Sequence, residues 1–240
     1  MARPLLTNPL HWDVVTLEPF PLGEYIRMVD SGGTPSTTES DCWDGDIPWL
    51  TPKDITRNNE KIFVSTTERN ITETGLKDSA AKLLPPGTVM LTKRAPVGAV
   101  AINAVPMATN QGFLNFQCGN KLRPLYLAYW FKVNLLYLQQ VANGSTYREL
   151  YKGDLFEFQI AVPPVEEQDA ILNTINTLQY VFLLGLPIEQ SVTSPSEMLK
   201  VQEQSRRLAD LINSLLVQLL SGKIDASSVS NSLLEKIYAN

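Results

Sequence analysis

The chain has 240 residues, with 20 basic and 25 acidic side chains, a formal net charge of −5 and 44 % hydrophobic content. That length can bury a full core, and no apolar run approaches the ~20 residues a membrane-spanning helix needs. The single histidine, His11, sits in a proline-flanked N-terminal segment, which argues against a histidine-based triad and against a His-rich metal site.

In chain order, Met1–Leu10 contains Pro4 and Pro9 and does not read as a signal peptide. Ser31–Ile55 reads as a loop-rich run, with Trp43 and Trp49 as core anchors around Ile47-Pro48. Short apolar runs at Thr88–Thr92, Gly98–Ile102, Phe113–Gln117 and Gln159–Val162 predict strands, the first introduced by the turn Pro85-Pro86-Gly87. Leu125–Val141 is apolar on all sides without interior Gly or Pro and predicts one buried helix, with Pro124 in its first turn and Asn143-Gly144 as its stop. Val162-Pro163-Pro164 marks a boundary. A helix over about 165–184 follows, with Glu166, Glu167 and Asp169 where the helix dipole favours acids and Ile171, Ile175, Leu178 and Phe182 on one face. A second helix, about 195–220, carries Val201, Ser205, Leu208, Ile212, Leu215 and Leu219 at 4-3-4-3-4 spacing, a short seam of the coiled-coil kind. The two helices pack either on each other as a hairpin or on another copy or subunit as well. The expected organisation is a mixed domain over 1–163, a helical spacer over 164–225 and a tail over 226–240, an α+β chain ending in a helical hairpin.

Charge is uneven along this order. Residues 1–165 carry 15 basic and 16 acidic side chains, whereas 166–240 carry 5 and 9. Within the first part, Ser79–Arg148 holds seven cations (Lys82, Lys93, Arg94, Lys121, Arg123, Lys132 and Arg148) and no acid. This asymmetry points to an anionic partner, with nucleic acid the best fit.

Catalytic chemistry finds little support. Asp41, Asp44 and Asp46 in DCWDGD lack calcium-loop spacing and read as a polar loop. No phosphate-binding GxxxxGK[ST] and no GxGxxG occurs. The cysteines, Cys42 and Cys118, form no CxxC pair and read as incidental thiols of a cytoplasmic protein. DNA contact has more candidates. Thr34, Ser36 and Thr37 suit hydrogen bonds to phosphate oxygens. Lys53 and Lys93 supply point charges, and Arg94 adds a planar fork able to grip phosphate or read guanine O6 and N7. Asn110 and Gln111 offer amides that can pair bidentately with adenine. Thr146, Tyr147 and Arg148 make a further polar loop with a cation.

Nine segments in order resemble the specificity subunit of type I restriction–modification systems. They are LGE at Leu22–Glu24, SGGTPS at Ser31–Ser36, WDGDIPWLTPKDI at Trp43–Ile55, and I-T-x-x-G-L at Ile71–Leu76. LLPPGTVM at Leu83–Met90, KRAPVG at Lys93–Gly98, ATNQGF at Ala108–Phe113, VPPVEEQ at Val162–Gln168 and LLSGKID at Leu219–Asp225 complete them. The resemblance implies a target recognition domain reading half of a split DNA site, followed by a helix that pairs antiparallel as a ruler. It implies no catalytic centre and no cofactor of its own: S-adenosylmethionine, magnesium and ATP belong to methyltransferase and translocating nuclease subunits. Full-length members carry two recognition domains, so a chain with one is expected to pair with a second copy or a related half-subunit. The family helix is continuous, whereas Gly185, Pro187 and Pro195 interrupt this one. Two readings from other classes stay open: a stand-alone site-specific nuclease, and an assembly or regulatory subunit without DNA binding.

Overall fold

The computed structural model describes residues 20–57, 61–142, 149–156 and 158–185, with a few positions between 214 and 220. In chain order the elements are β1 (Phe20–Pro21), β2 (Ile26–Ser31), β3 (Trp43–Leu50), α1 (Pro52–Arg57), β4 (Phe63–Val64), β5 (Asn70–Ile71) and α2 (Glu73–Lys77). They continue with β6 (Val89–Thr92), β7 (Val100–Asn103), β8 (Ala108–Thr109), β9 (Phe113–Cys118), α3 (Pro124–Val133), α4 (Leu135–Val141), α5 (Lys152–Phe156), β10 (Gln159–Ile160) and α6 (Val165–Gly185). Two compact units result, one ending at Val162 and one beginning at Pro163 among the described residues.

In the first unit a five-stranded sheet has the order β2-β9-β6-β7-β4, antiparallel except for the β4–β7 pair. The central strand β6 is buried at all four residues, so both faces of the sheet are covered there. The pleat sends Met90 to one side, where it clusters with Leu50, Val64, Leu84, Ala101, Met107 and Phe113. Val89 and Leu91 face the other way, as does Phe116, the cross-strand partner of Val89. On that side α3 packs across β6 and β7, and Phe131 meets Phe116 at 5.3 Å between ring centroids. A smaller sheet, β5-β3-β8, carries a second core of Cys42, Trp43, Ile47, Trp49, Ile71, Ala81 and Ala108. Strands β1 and β10 pair antiparallel.

The mixed α/β architecture agrees with expectation, as do the strands near 89–92, 100–103, 113–118 and 159–160. Two readings require correction. Ser31–Ile55 is not all loop: Trp43–Leu50 is an eight-residue strand and Pro52–Arg57 a helix. The polar DGD inside β3 is a bulge, in which Trp43 and Ile47 both oppose Ile71 and Asp44 takes φ 60°, a left-handed conformation that Asp tolerates better than most residues. The run 125–141 is two helices, broken at Asn134, whose side-chain amide turns back to donate to the Trp130 carbonyl at 2.8 Å. Only α3 is buried round most of its circumference; Leu135 and Leu136 of α4 are exposed.

Asn103 ties the sheet to the turn before β6. It is 1 % exposed, accepts from Thr88 N–H at 2.7 Å, and donates Nδ2 toward the carbonyls of Pro85 and Val105 at 2.9 Å and Leu84 at 3.3 Å. Asn103→Leu keeps the branched shape but leaves the buried Thr88 N–H without its acceptor and removes a donor from the Leu84, Pro85 and Val105 carbonyls. It should cost about 3 kcal/mol of stability in urea unfolding.

In the second unit α6 spans 165–185, matching the expected helix. Gln168 is buried and donates Nε2 to the Pro163 carbonyl at 2.8 Å, which anchors the helix start after the double proline. Ile171, Leu172 and Ile175 are buried, and Leu215 is half-buried. The side chains of Leu178, Val201, Leu208, Ile212 and Leu219, the expected hairpin and the tail lie outside the described residues. No helix among the described residues is long and apolar enough to cross a membrane.

Candidate nucleic-acid interface

Strand register gathers the candidate segments at one end of the two sheets. Ser31 pairs with Leu114 and Thr92 with Phe113, so residues 32, 93 and 112 leave the large sheet at the same end. In the small sheet Leu50 runs parallel to Thr109, which brings Thr51–Lys53 beside Asn110. Backbone hydrogen bonds then link these exits. Asn110 N–H donates to Leu50 O at 3.0 Å, Lys93 N–H to Gly112 O at 2.8 Å, and Leu150 N–H to Lys93 O at 3.0 Å.

The SGGTPS loop is held mainly through its backbone. Gly33 N–H donates to Thr109 O at 3.0 Å; the indole N–H of Trp49 donates to Gly33 O at 2.9 Å and that of Trp43 to Ser36 O at 2.8 Å. The two indoles stack edge to face, with ring centroids 5.1 Å apart, and both are buried, as expected of core anchors. Arg69 lies over the Trp43 ring, 3.5 Å from its centroid. With its backbone fixed, the loop presents Thr34, Ser36, Thr37 and Thr38 to solvent. Thr34 Oγ1 donates to Gln111 Oε1, and Ser36 Oγ and Thr38 Oγ1 lie 2.8 Å apart. Asn110 has its carbonyl oxygen engaged locally, accepting from Gly112 N–H at 2.9 Å.

The cations of this end are paired. Asp54 accepts from Thr51 N–H at 2.8 Å and, through its other oxygen, from Glu68 N–H at 2.9 Å, which fixes Glu68 beside α1. Glu68 Oε2 then lies 3.4 Å from Lys53 Nζ and 2.5 Å from Arg57 Nη1, with all three side chains about half exposed. Glu149 makes a second, more buried bridge: Oε1 lies 3.2 Å from Lys93 Nζ and Oε2 3.1 Å from Arg94 Nε. Burial pushes the Glu149 carboxyl up, but hydrogen bonds from Arg94 and Lys93 and their charges outweigh it, and it sits below the usual carboxylate range.

The acid-free span therefore does not make an acid-free surface. Glu149, the first acid after it in sequence, pairs through space with Lys93 and Arg94, and Asp30 lies 2.5 Å from Lys82, so two carboxylates partly offset three of its cations. Sequence reading singled out Thr34, Ser36, Thr37, Lys53, Lys93, Arg94, Asn110 and Gln111, and these converge on one end of the unit. It missed Arg57, Glu68 and Glu149; the place of Glu149 directly after a seventy-residue stretch without acids was the available signal. Thr146, Tyr147 and Arg148 lie outside the described residues. Both cysteines are free thiols, and burial pushes Cys118 up to about 12, so it stays protonated near neutrality. Among the described residues no group of His, Cys, Asp and Glu could hold a metal ion.

A family model described as the type I restriction modification DNA specificity domain matches residues 15–184. The chain is 42 % identical over 170 residues to the MjaIX specificity subunit of Methanocaldococcus jannaschii, covering 70 % of this chain and 38 % of that protein. It is 29 % identical over 178 residues to the EcoR124I/EcoR124II specificity subunit of Escherichia coli, covering 70 % and 43 %. The fold is similar to that of the HsdS subunit from Thermoanaerobacter tengcongensis, with TM-score 0.55 at 17 % identity over 88 % of this chain and 47 % of that one. A chain from a structure on complex assembly and conformational transition of the type I R-M system gives TM-score 0.56 at 18 % identity, covering 88 % and 48 %. The chain thus spans less than half the length of these relatives. With 170 of its residues matched by the family model, and with eight of the nine motifs, the sheet order and the loop cluster falling inside that stretch, the chain belongs to the type I restriction–modification DNA specificity domain family.

Proposed function

We propose that this chain is a non-catalytic reader of duplex DNA that recognises one half of a bipartite target. The observation that carries this reading is the convergence of residues 34–38, 51–57, 93–94 and 110–112 on one end of a domain whose family is named for DNA specificity. Hydroxyls and amides there suit phosphate and base edges, and the four cations Lys53, Arg57, Lys93 and Arg94 outnumber the three carboxylates Asp54, Glu68 and Glu149. Methylation and cleavage belong to partners: methyltransferase subunits using S-adenosylmethionine and a nuclease–translocase using ATP and magnesium, in the cytoplasm. The buried apolar positions of α6 support a helical spacer, through which a second copy or a related half-subunit supplies the other half-site.

The test is single-molecule methylation sequencing of DNA from cells co-expressing the chain with its methyltransferase. Self-pairing gives a two-fold reader, so the methylated motif should be an interrupted palindrome with a fixed gap. An asymmetric bipartite motif would assign the second half to a different chain. Methylation without any bipartite motif would overturn the reading.

A further inference from the structure

The two cation clusters differ in a way that assigns them different tasks. Around Glu68 every side chain is about half exposed, so the ion pairs are screened and the cations can turn toward a phosphate. Around Glu149 the carboxylate is 17 % exposed and Lys93 16 %, whereas Arg94 is 53 % exposed. Lys93 is also fixed at both backbone groups, to Gly112 and Leu150. Its ammonium is therefore occupied internally, while the neighbouring guanidinium reaches outward.

The atoms in contact matter. Glu149 meets Arg94 at Nε, the inner edge of the guanidinium, and among the described residues no other acid pairs with that side chain. The two terminal nitrogens carry four of the five N–H donors, in a rigid plane. A free surface arginine samples many rotamers, and bidentate recognition needs that plane held. Guanine's O6 and N7 present two acceptors in the major groove that match the outer edge of such a fork, and no other base presents both as acceptors. A phosphate would not require the plane to be locked.

Resting on the DNA-reading function above, we infer that Arg94 reads a guanine in the half-site and that Glu149 is its positioning residue, setting base preference rather than affinity. Lys93 completes the device by occupying the second carboxylate oxygen, so that Glu149 cannot swing away from Arg94.

The experiment uses the purified full chain, a pool of duplexes randomised over the half-site, and sequencing of the bound fraction. The native chain should enrich guanine at one position. Arg94→Lys, which keeps the charge and loses the fork, and Glu149→Gln, which keeps the size and loses the charge, should each cut the enrichment at that same position roughly ten-fold. Other positions should hold. Glu149→Asp should restore part of the preference, and binding of Glu149→Gln to non-cognate duplex should not weaken, because a negative charge has been removed. The inference is overturned if Glu149→Gln keeps the native preference, if it and Arg94→Lys relax different positions, or if Glu149→Gln weakens every sequence equally. A native chain that binds but enriches no guanine also overturns it. A native chain that binds no duplex in any form overturns the DNA-reading function itself, a separate result.

Discussion

Gly33→Val should remove more than about 3 kcal/mol from the stability of the first unit and lower its Tm by about 6 °C or more. A Cβ at position 33 would fall 2.3 Å from both the carbonyl carbon of Ala80 and the nitrogen of Ala81. These are backbone atoms, which cannot swing aside as the end of a long side chain can. The loop would have to lift, breaking the hydrogen bond from Gly33 N–H to Thr109 O and leaving the buried Trp49 indole N–H without its acceptor. The edge-to-face Trp43–Trp49 pair beneath would then lose its cover. Gly153→Ala is the matched control, since a Cβ there meets nothing within 4 Å. Calorimetry of both variants decides it: equal melting would mean that the close approach at Gly33 is not made.

The double variant Lys93→Ala/Arg94→Ala should weaken binding to the cognate duplex by about a hundred-fold, near the top of the range for losing a base contact. The substitution does more than delete two cations. It strips Glu149 of both partners and turns a cluster with two positive charges and one negative into a lone carboxylate facing the phosphates. Adding Glu149→Ala to the pair should recover part of the non-cognate affinity without restoring sequence preference. Fluorescence anisotropy at several salt concentrations separates these effects; unchanged affinity in the double variant would remove this end of the unit from the interface.

What the sequence makes legible follows from the range of the interactions concerned. Val89–Thr92, Val100–Asn103 and Phe113–Cys118 are strands whose apolar content is local and dense, and they stand out along the chain. Strand β3 does not, because Asp44, Gly45, Asp46 and Pro48 are loop residues by composition and are tolerated in a strand only through the bulge opposite Ile71. The break at Asn134 was hidden for the opposite reason: the run around it is apolar in every direction, and a single amide decides where the backbone turns. At the candidate site, residue types could be named but their company could not. Thr34 meets Gln111 across seventy-seven positions, and that contact depends on the register of β2 against β9. The run without acids was visible in the sequence, but its counterions lie outside it, at Asp30 and Glu149. Counting along a chain measures covalent distance, whereas electrostatic pairing depends on distance in space.

The pairing of β1 with β10 has a consequence for how such a unit can be inherited. Phe20 lies opposite Ile160 and Pro21 opposite Gln159, so the chain enters and leaves the unit through adjacent strands in a single ladder. Everything between, including every loop of the candidate interface, is bracketed by that one two-residue join. A coding segment that keeps the join can be exchanged for another with different loops and still close the unit on the same ladder. The unit is thus closed by its own two ends, and all of its loops are inherited together as one contiguous segment.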